Sequence, residues 1–351
     1  MVTFSELIGQ AIEKGASDLH LTVGVPPCVR INGSIVKLDE AIITPQALEE
    51  IASSILNERS RETLDKSGET DFAYSIPQLG RFRVNFFRQR GSLSMVVRIL
   101  NLRIPSPEEL GIPLSVVEMT DKCRGLVLVT GPTGSGKSTT LASLIDTINK
   151  KHNYHIITLE DPIEYLHKHN KSIVNQRELG TDTTSFAAAL RAALRQDPDV
   201  ILVGEMRDHE TISTAVTAAE TGHLVFSTLH TIGAANTVDR IIDVFPSHQQ
   251  QQIRTQLADV LQCVISQQLI PRANGQGRVA AMEVMLTNNA IKNHIRESKA
   301  FQIQTVMQTN TKFGMKTMDD ALFELYSRGE ITGENALIHA QDRAILSRRI
   351  G

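Results

Sequence analysis

Tryptophan is missing from this chain of 351 residues, and aromatic residues make up only 4% of it. Proteins that hold single-stranded nucleic acid by stacking bases on aromatic rings need more of them, so that class is disfavoured. An excess of basic charge is missing too. Lys and Arg number 36 against 39 Asp and Glu, a formal net charge of −3. A local basic patch aside, that balance argues against a nucleic-acid machine, and no nucleic-acid partner is expected. Cysteine is scarce: Cys28, Cys123 and Cys263 are widely spaced and form no Cys-x-x-Cys pair. This argues against a cysteine-built zinc site and fits a reducing cytoplasm. No apolar run approaches the roughly 20 residues needed to cross a bilayer. The opening, Met1 to Ile8, lacks the charged-then-apolar layout of a signal peptide. Any membrane role is therefore expected to go through a partner. What remains is an ordinary globular composition, 41% hydrophobic and 21% charged, with a length that suits two domains.

The first hundred residues predict a small α+β domain over 1–99. An amphipathic helix is expected over 3–14, followed by extended runs at Asp18–Val23, Cys28–Ile31 and Ser34–Leu38. Asn32-Gly33 between two of these runs is a hairpin signal. Thr44 with Pro45 reads as an N-cap and first helical residue, opening a helix to about Asn57. Strands are predicted at 69–76, 81–88 and 92–99, the middle one from the alternation Arg81-Phe82-Arg83-Val84-Asn85-Phe86. Residues 100–113, with Pro105, Pro107, Gly111 and Pro113, have a linker composition. From 114 to 351 the rhythm changes. Buried-type strands recur at 125–130, 155–160, 200–204 and 223–228 with helical stretches between, which implies a parallel sheet covered on both faces. Beyond about 246 the chain reads as mostly helical, with one extended run at Val279–Leu286.

Within that second region, Gly131-Pro132-Thr133-Gly134-Ser135-Gly136-Lys137-Ser138 is a complete Gly-x-x-x-x-Gly-Lys-Ser loop. It follows a strand-like run and precedes a helix-like one that starts Thr139-Thr140, the context that separates a phosphate site from a chance turn. Its backbone N–H groups and the helix N-terminus suit phosphate oxygens. Lys137 is placed for the β- and γ-phosphates and the Ser138 hydroxyl for Mg²⁺.

Carboxylates and a histidine end the neighbouring strands on the edge where ligands bind in such sheets. Glu160, Asp161 and Glu164 follow the second strand, and a carboxylate there can orient and deprotonate an attacking water. A solvated acidic loop is the plainer reading of the same stretch. Asp199 to Glu205 is an apolar strand ending in an acid, a Walker B layout in which Glu205 holds Mg²⁺ directly or through water. His230 follows the fourth strand and could sense the γ-phosphate, or be structural. Arg81, Arg83, Arg88, Arg90 and Arg98 in the first domain, and Arg191 and Arg195 at i, i+4 on one helix face, are candidates to stabilise phosphoryl charge; a solvated basic face is the alternative.

Taken together, these motifs resemble the secretion-ATPase superfamily, and most closely the PilT family of type IV pilus retraction ATPases. Ala16 to Leu21 is similar to the family's opening, Gly131–Thr139 to its Walker A, Leu159–Glu164 to its acidic box, Asp199–Arg207 to its Walker B and Ser227–Thr231 to its His box. Ala219–His223 and Arg240–Pro246 are family-like as well. The resemblance covers essentially the whole chain. It implies an α/β fold with a RecA-like P-loop ATPase domain and a smaller PAS-like N-terminal domain. It further implies a homohexameric ring that binds ATP and Mg²⁺ and powers pilus retraction and twitching motility. Its expected place is the cytoplasm, peripheral to the inner face of the cytoplasmic membrane. A platform protein in that membrane is the implied partner, and a second retraction ATPase another. Glu164 is implied as the water-activating carboxylate, Glu205 as the Walker B acid and His230 as a nucleotide sensor. Lys137 is implied at the phosphates, with Arg83, Arg98, Arg191 and Arg195 as further phosphate ligands.

One helix departs from the family pattern. Ala290-Ile291-Lys292-Asn293-His294-Ile295-Arg296-Glu297 stands where the family reads Ala-Ile-Arg-Asn-Leu-Ile-Arg-Glu. Lys292 keeps the charge but not the planar fork of arginine. That helix is linked in the family to retraction rather than hydrolysis. Assembly and type II secretion ATPases of the same superfamily carry a longer N-terminus and usually a four-cysteine loop, which favours the retraction branch here. An accessory retraction ATPase, an assembly or secretion motor, and a ring subunit that binds nucleotide but hydrolyses poorly remain the alternatives.

Overall fold

The computed structural model describes residues 3–31, 33–100 and 103–351. Two units emerge. The first takes the residues up to Arg103 together with Glu164–Leu166; the second comprises Ile104–Ile163 and His167–Gly351.

In the first unit, β1 (Asp18–Thr22), β2 (Cys28–Ile31), β3 (Ser34–Lys37), β4 (Glu69–Ile76), β5 (Gly80–Gln89) and β6 (Ser92–Ile99) form one antiparallel sheet in the order β3-β2-β1-β6-β5-β4. Alternation places Phe82, Val84 and Phe86 of β5 in the core, where Leu19, Leu21, Met95 and Val97 meet them. The helix Phe4–Glu13 adds Leu7, Ile8 and Ala11, and the helix Pro45–Ile55 adds Leu48 and Ala52. Their starts follow from local chemistry. Thr3 and Glu6 form a reciprocal capping box, and the Thr44 hydroxyl accepts from Ala47 N with Pro45 in the first turn. A third helix, Glu58–Ser67, is capped by Asn57 and closed by Gly68 at φ +83°. β2 and β3 pair antiparallel with Ile31 opposite Ser34. Asn32 of the predicted hairpin turn lies outside the described residues, as do Met1, Val2, Asn101 and Leu102.

The second unit is built on β7 (Gly125–Thr130), β8 (His155–Glu160), β9 (Ile173–Glu178), β10 (Val200–Val203), β11 (Leu224–Leu229), β12 (Leu261–Pro271) and β13 (Arg278–Leu286). Their order is β13-β12-β7-β11-β10-β8-β9, parallel throughout except for the β12–β13 hairpin. Side chains on β7 alternate between two cores: Leu126 and Leu128 face one, Val127 and Val129 the other. Each such fully buried aliphatic contributes about 1.5–3 kcal/mol relative to exposure. The helix Lys137–Lys151 covers the second face through Leu141, Leu144, Ile145 and Ile148. Helices Phe186–Ala193, His209–Glu220, Ala234–Asp243 and Ser247–Val260 cover the first. The expected α/β fold with a parallel sheet clothed on both sides is therefore present. Ile112, from the proline-rich stretch before Pro113, is buried in this unit.

Two strands depart from the sequence reading. β12 runs through a region expected to be mostly helical, and β9 was not expected at all. Beyond β13, the helices Met318–Ser327, Gly333–His339 and Arg343–Ile350 close a small apolar cluster with Ile270 and Ala281.

Candidate functional site

The loop Gly131–Ser138 leaves the C-terminal end of β7 and enters the Lys137–Lys151 helix. Gly131 has φ +140°, and a Cβ there would stand 2.2 Å from the Gln267 main-chain oxygen, so only glycine fits. Gly136 caps the helix in the left-handed region at φ +89° and offers no side chain to its first N–H groups. Ser135 is 2% exposed, and its Oγ is buried with no hydrogen-bond partner. An uncapped helix N-terminus beside an unpartnered buried hydroxyl is an arrangement that a phosphate group completes. Lys137 Nζ donates to the loop's own carbonyls, Gly131 O at 2.9 Å and Pro132 O at 3.0 Å. Pro132, Thr133 and Gly134 are exposed, while Ser138 and Thr139 lie half-buried on the first turn of the helix.

Glu205 follows β10 with its side chain 21% exposed. Arg207 Nε lies 2.7 Å from its Oε2, and His230 Nε2, just past β11, lies 3.4 Å from the same oxygen. The parallel register of β10 and β11 brings these two strand ends together, so the predicted Walker B acid and the predicted sensor histidine are neighbours. A carboxylate and a hydroxyl are oxygen donors of the kind Mg²⁺ takes.

Glu164 is exposed, on the loop that follows β8. Its flanks are pinned by side chains of β9. Ile163 N donates to Glu178 Oε2 at 3.1 Å, and His167 N donates to Gln176 Oε1 at 2.8 Å. Gln176 Nε2 also donates to Glu160 Oε1 at 3.1 Å, and so does the Thr158 hydroxyl at 2.6 Å. Gln176 and Glu178 were not legible as functional-site residues, because the strand that carries them was not. His167 Nδ1 is buried without a partner, and desolvation drives its pKa down to about 4, against a smaller upward pull from Asp146.

Arg83 and Arg98 belong to the first unit. They face each other in register across β5 and β6, and Asp18 and Arg30 continue the row across β1 and β2. Like charges directly opposite repel, and two carboxylates relieve the row. Asp71 takes Arg83 through both oxygens, and Asp18 Oδ1 accepts from Arg98 Nε at 3.0 Å. Burial opposes the charge on Asp18, but the Ser17 hydroxyl and the Arg98 guanidinium outweigh it and hold the carboxyl below its usual range.

Arg191 lies in the last turn of the helix Phe186–Ala193, and Arg195 lies two residues past its end. The helix ends at Ala193, and Arg195 N and Gln196 N bond three residues back, to Ala192 O and Ala193 O. Arg191 is paired with Glu210.

Comparison with known proteins places this geometry in context. The sequence pattern of the Type II/IV secretion system protein family matches residues 2–328. The chain is 48% identical over 332 residues to the "Type IV pilus retractation ATPase PilT" of Pseudomonas aeruginosa, covering 95% of this chain and 96% of the relative. It is 47% identical over 321 residues to the "Twitching motility protein" of Neisseria gonorrhoeae, covering 92% and 86%. The crystal structure of "the Pilus Retraction Motor PilT and Bound ADP" superimposes with a TM-score of 0.93 at 52% identity, covering 99% of this chain and 100% of that one.

Proposed function

This chain belongs to the Type II/IV secretion system protein family, and from that premise we propose that it is an ATPase that powers type IV pilus retraction. The observation that carries the proposal is likeness to a retraction ATPase along nearly the full length of both chains. The phosphate loop supports it with a shape only glycine allows and a buried hydroxyl awaiting a partner.

ATP is the substrate. Backbone N–H groups of Gly134–Thr139 receive its phosphates, and Lys137 exchanges the Gly131 and Pro132 carbonyls for phosphate oxygens. Mg²⁺, when bound, neutralises charge on the phosphates; Ser138 and Glu205 are the residues that would hold it, in part through water. Glu164 orients the attacking water and takes its proton. His230, bridged to Glu205, registers whether the γ-phosphate side of the site is charged. Arg83 and Arg98, already held in a row by Asp71 and Asp18, stabilise phosphoryl charge on a neighbouring subunit of a homohexamer, with Arg191 and Arg195 in a supporting role. The ring works at the cytoplasmic face of the inner membrane against a platform protein, alone or with a second retraction ATPase. The described residues contain no helix long and apolar enough to cross a membrane.

The test is a phosphate-release assay on wild type and Glu164→Gln. The variant should retain ATP and lose about a hundredfold or more of turnover. Unchanged turnover removes Glu164 from the mechanism, and an inert wild type removes the motor reading in favour of a nucleotide-binding subunit.

A further inference from the structure

Gln267 lies on β12, only 3% exposed, and its side chain ends under the phosphate loop. Its Nε2 donates to the Ser135 carbonyl at 2.7 Å, and its Oε1 accepts from the Thr140 hydroxyl at 2.8 Å. Its main-chain oxygen occupies the space where a Gly131 side chain would begin, and a Cβ on Gly136 would meet its Nε2 at 2.9 Å. One residue outside the motif therefore touches the loop at its entry, at its crest and in the first turn of the following helix.

The bond to Ser135 has a directional consequence. In a trans peptide unit the C=O and N–H point opposite ways. Drawing the Ser135 carbonyl toward β12 aims the Gly136 N–H away from that strand, out of the loop. Gly136, at φ +89°, offers little steric resistance to rotation of this peptide, so the orientation needs an outside hold. A rotated peptide would turn a carbonyl oxygen toward an incoming phosphate in place of a donor. The Ser135 carbonyl can only accept, so it takes the NH₂ end of the Gln267 amide, and the Thr140 hydroxyl holds the other end by donating to its oxygen.

We infer that Gln267 is a positioning residue for phosphate binding, holding the loop's peptide planes in the orientation that presents N–H groups to a nucleotide. This rests on the reading of Gly131–Thr139 as the nucleotide site. Gln267 makes its contribution before the nucleotide arrives, so its loss should appear in binding more than in the chemical step.

The experiment titrates the full-length protein with ADP carrying a fluorescent ribose label, for wild type, Gln267→Met and Thr140→Val, with ATPase kinetics alongside. Gln267→Met keeps the volume and removes both bonds. Its Kd should rise about tenfold or more, with KM for ATP rising further than kcat falls. Thr140→Val leaves the Ser135 bond in place and should weaken binding by about two- to threefold. A purely structural role would lower the melting temperature and leave the Kd of the folded protein unchanged. A cooperatively melting Gln267→Met with wild-type Kd overturns the inference. If Gln267→Met does not fold, Thr140→Val decides: a raised Kd supports the inference and an unchanged one overturns it. Failure of the wild type to bind labelled ADP is a separate result and overturns the nucleotide site itself.

Discussion

Replacing Glu283 by leucine should loosen the second unit more than any single surface change. Glu283 lies on β13, 3% exposed. Its Oε1 accepts from Ala234 N at 2.6 Å, and its Oε2 from Met318 N at 3.2 Å and Gln341 Nε2 at 3.0 Å. Ala234 and Met318 are the first residues of two helices, so one buried carboxylate serves two helix N-termini, where negative charge is favoured. Burial pushes its carboxyl pKa up, and the three donors work against that push. Leucine orphans the two buried main-chain donors at about 1–3 kcal/mol each, whereas the exposed Gln341 amide can turn to water, and the fold is spared a desolvated carboxylate. The net loss should be about 2–4 kcal/mol, and a unit of this size loses roughly 2–4 °C of Tm per kcal/mol. We therefore expect a drop of about 10 °C by differential scanning calorimetry. Glu283→Gln keeps one acceptor oxygen and should fall between leucine and wild type. A leucine variant melting within about 2 °C of wild type would refute the reasoning, since two buried main-chain donors cannot lose their acceptor at so small a cost.

His167 gives the protein an acid-sensitive point. Its pKa is about 4 in the fold against 6.5 as an ordinary histidine, so the unfolded chain binds the extra proton between those values. The stability from keeping it neutral is complete above pH 6.5 and is lost as pH falls through 6.5 toward 4, by about 2 kcal/mol between pH 7 and 5. Urea midpoints at the two pH values should differ less in His167→Gln than in wild type, and an equal difference would clear this residue. Gly131→Ala forces a Cβ to within 2.2 Å of the Gln267 carbonyl unless the loop moves. Isothermal titration with ADP should show affinity reduced by about a hundredfold or more; a Kd within threefold of wild type would show that the loop tolerates the shift.

Legibility tracked whether a residue's role is set by its neighbours in sequence or by those across the sheet. β7, β8, β10 and β11 were readable because they are short apolar runs ending in glycine, acid or histidine, and both sheet faces are buried. The fold class followed from their alternation with helices. β12 was hidden because the helix Ser247–Val260 passes into the strand at Leu261 with no glycine or proline between them. Its Ser266-Gln267-Gln268 stretch also reads as polar, although all three are buried by partners: Ser266 takes Gly233 N, Gln267 the phosphate loop, and Gln268 the end of the helix at His339. β9 was hidden as an edge strand whose Asn175-Gln176-Arg177-Glu178 has no apolar alternation. Candidate chemistry could thus be named from motif residues, whereas the polar side chains that hold those motifs in shape, Gln176, Glu178, Gln267 and Glu283, became visible only with their partners.

The direction of the work done by this ATPase is the point on which the account stands, and one measurement addresses it. The gene should be deleted in its host and surface pili counted, with their motion recorded. A retraction motor predicts surplus pili that extend but do not retract, and cells that cannot twitch. Cells without pili would contradict the account and mark the protein as an assembly motor.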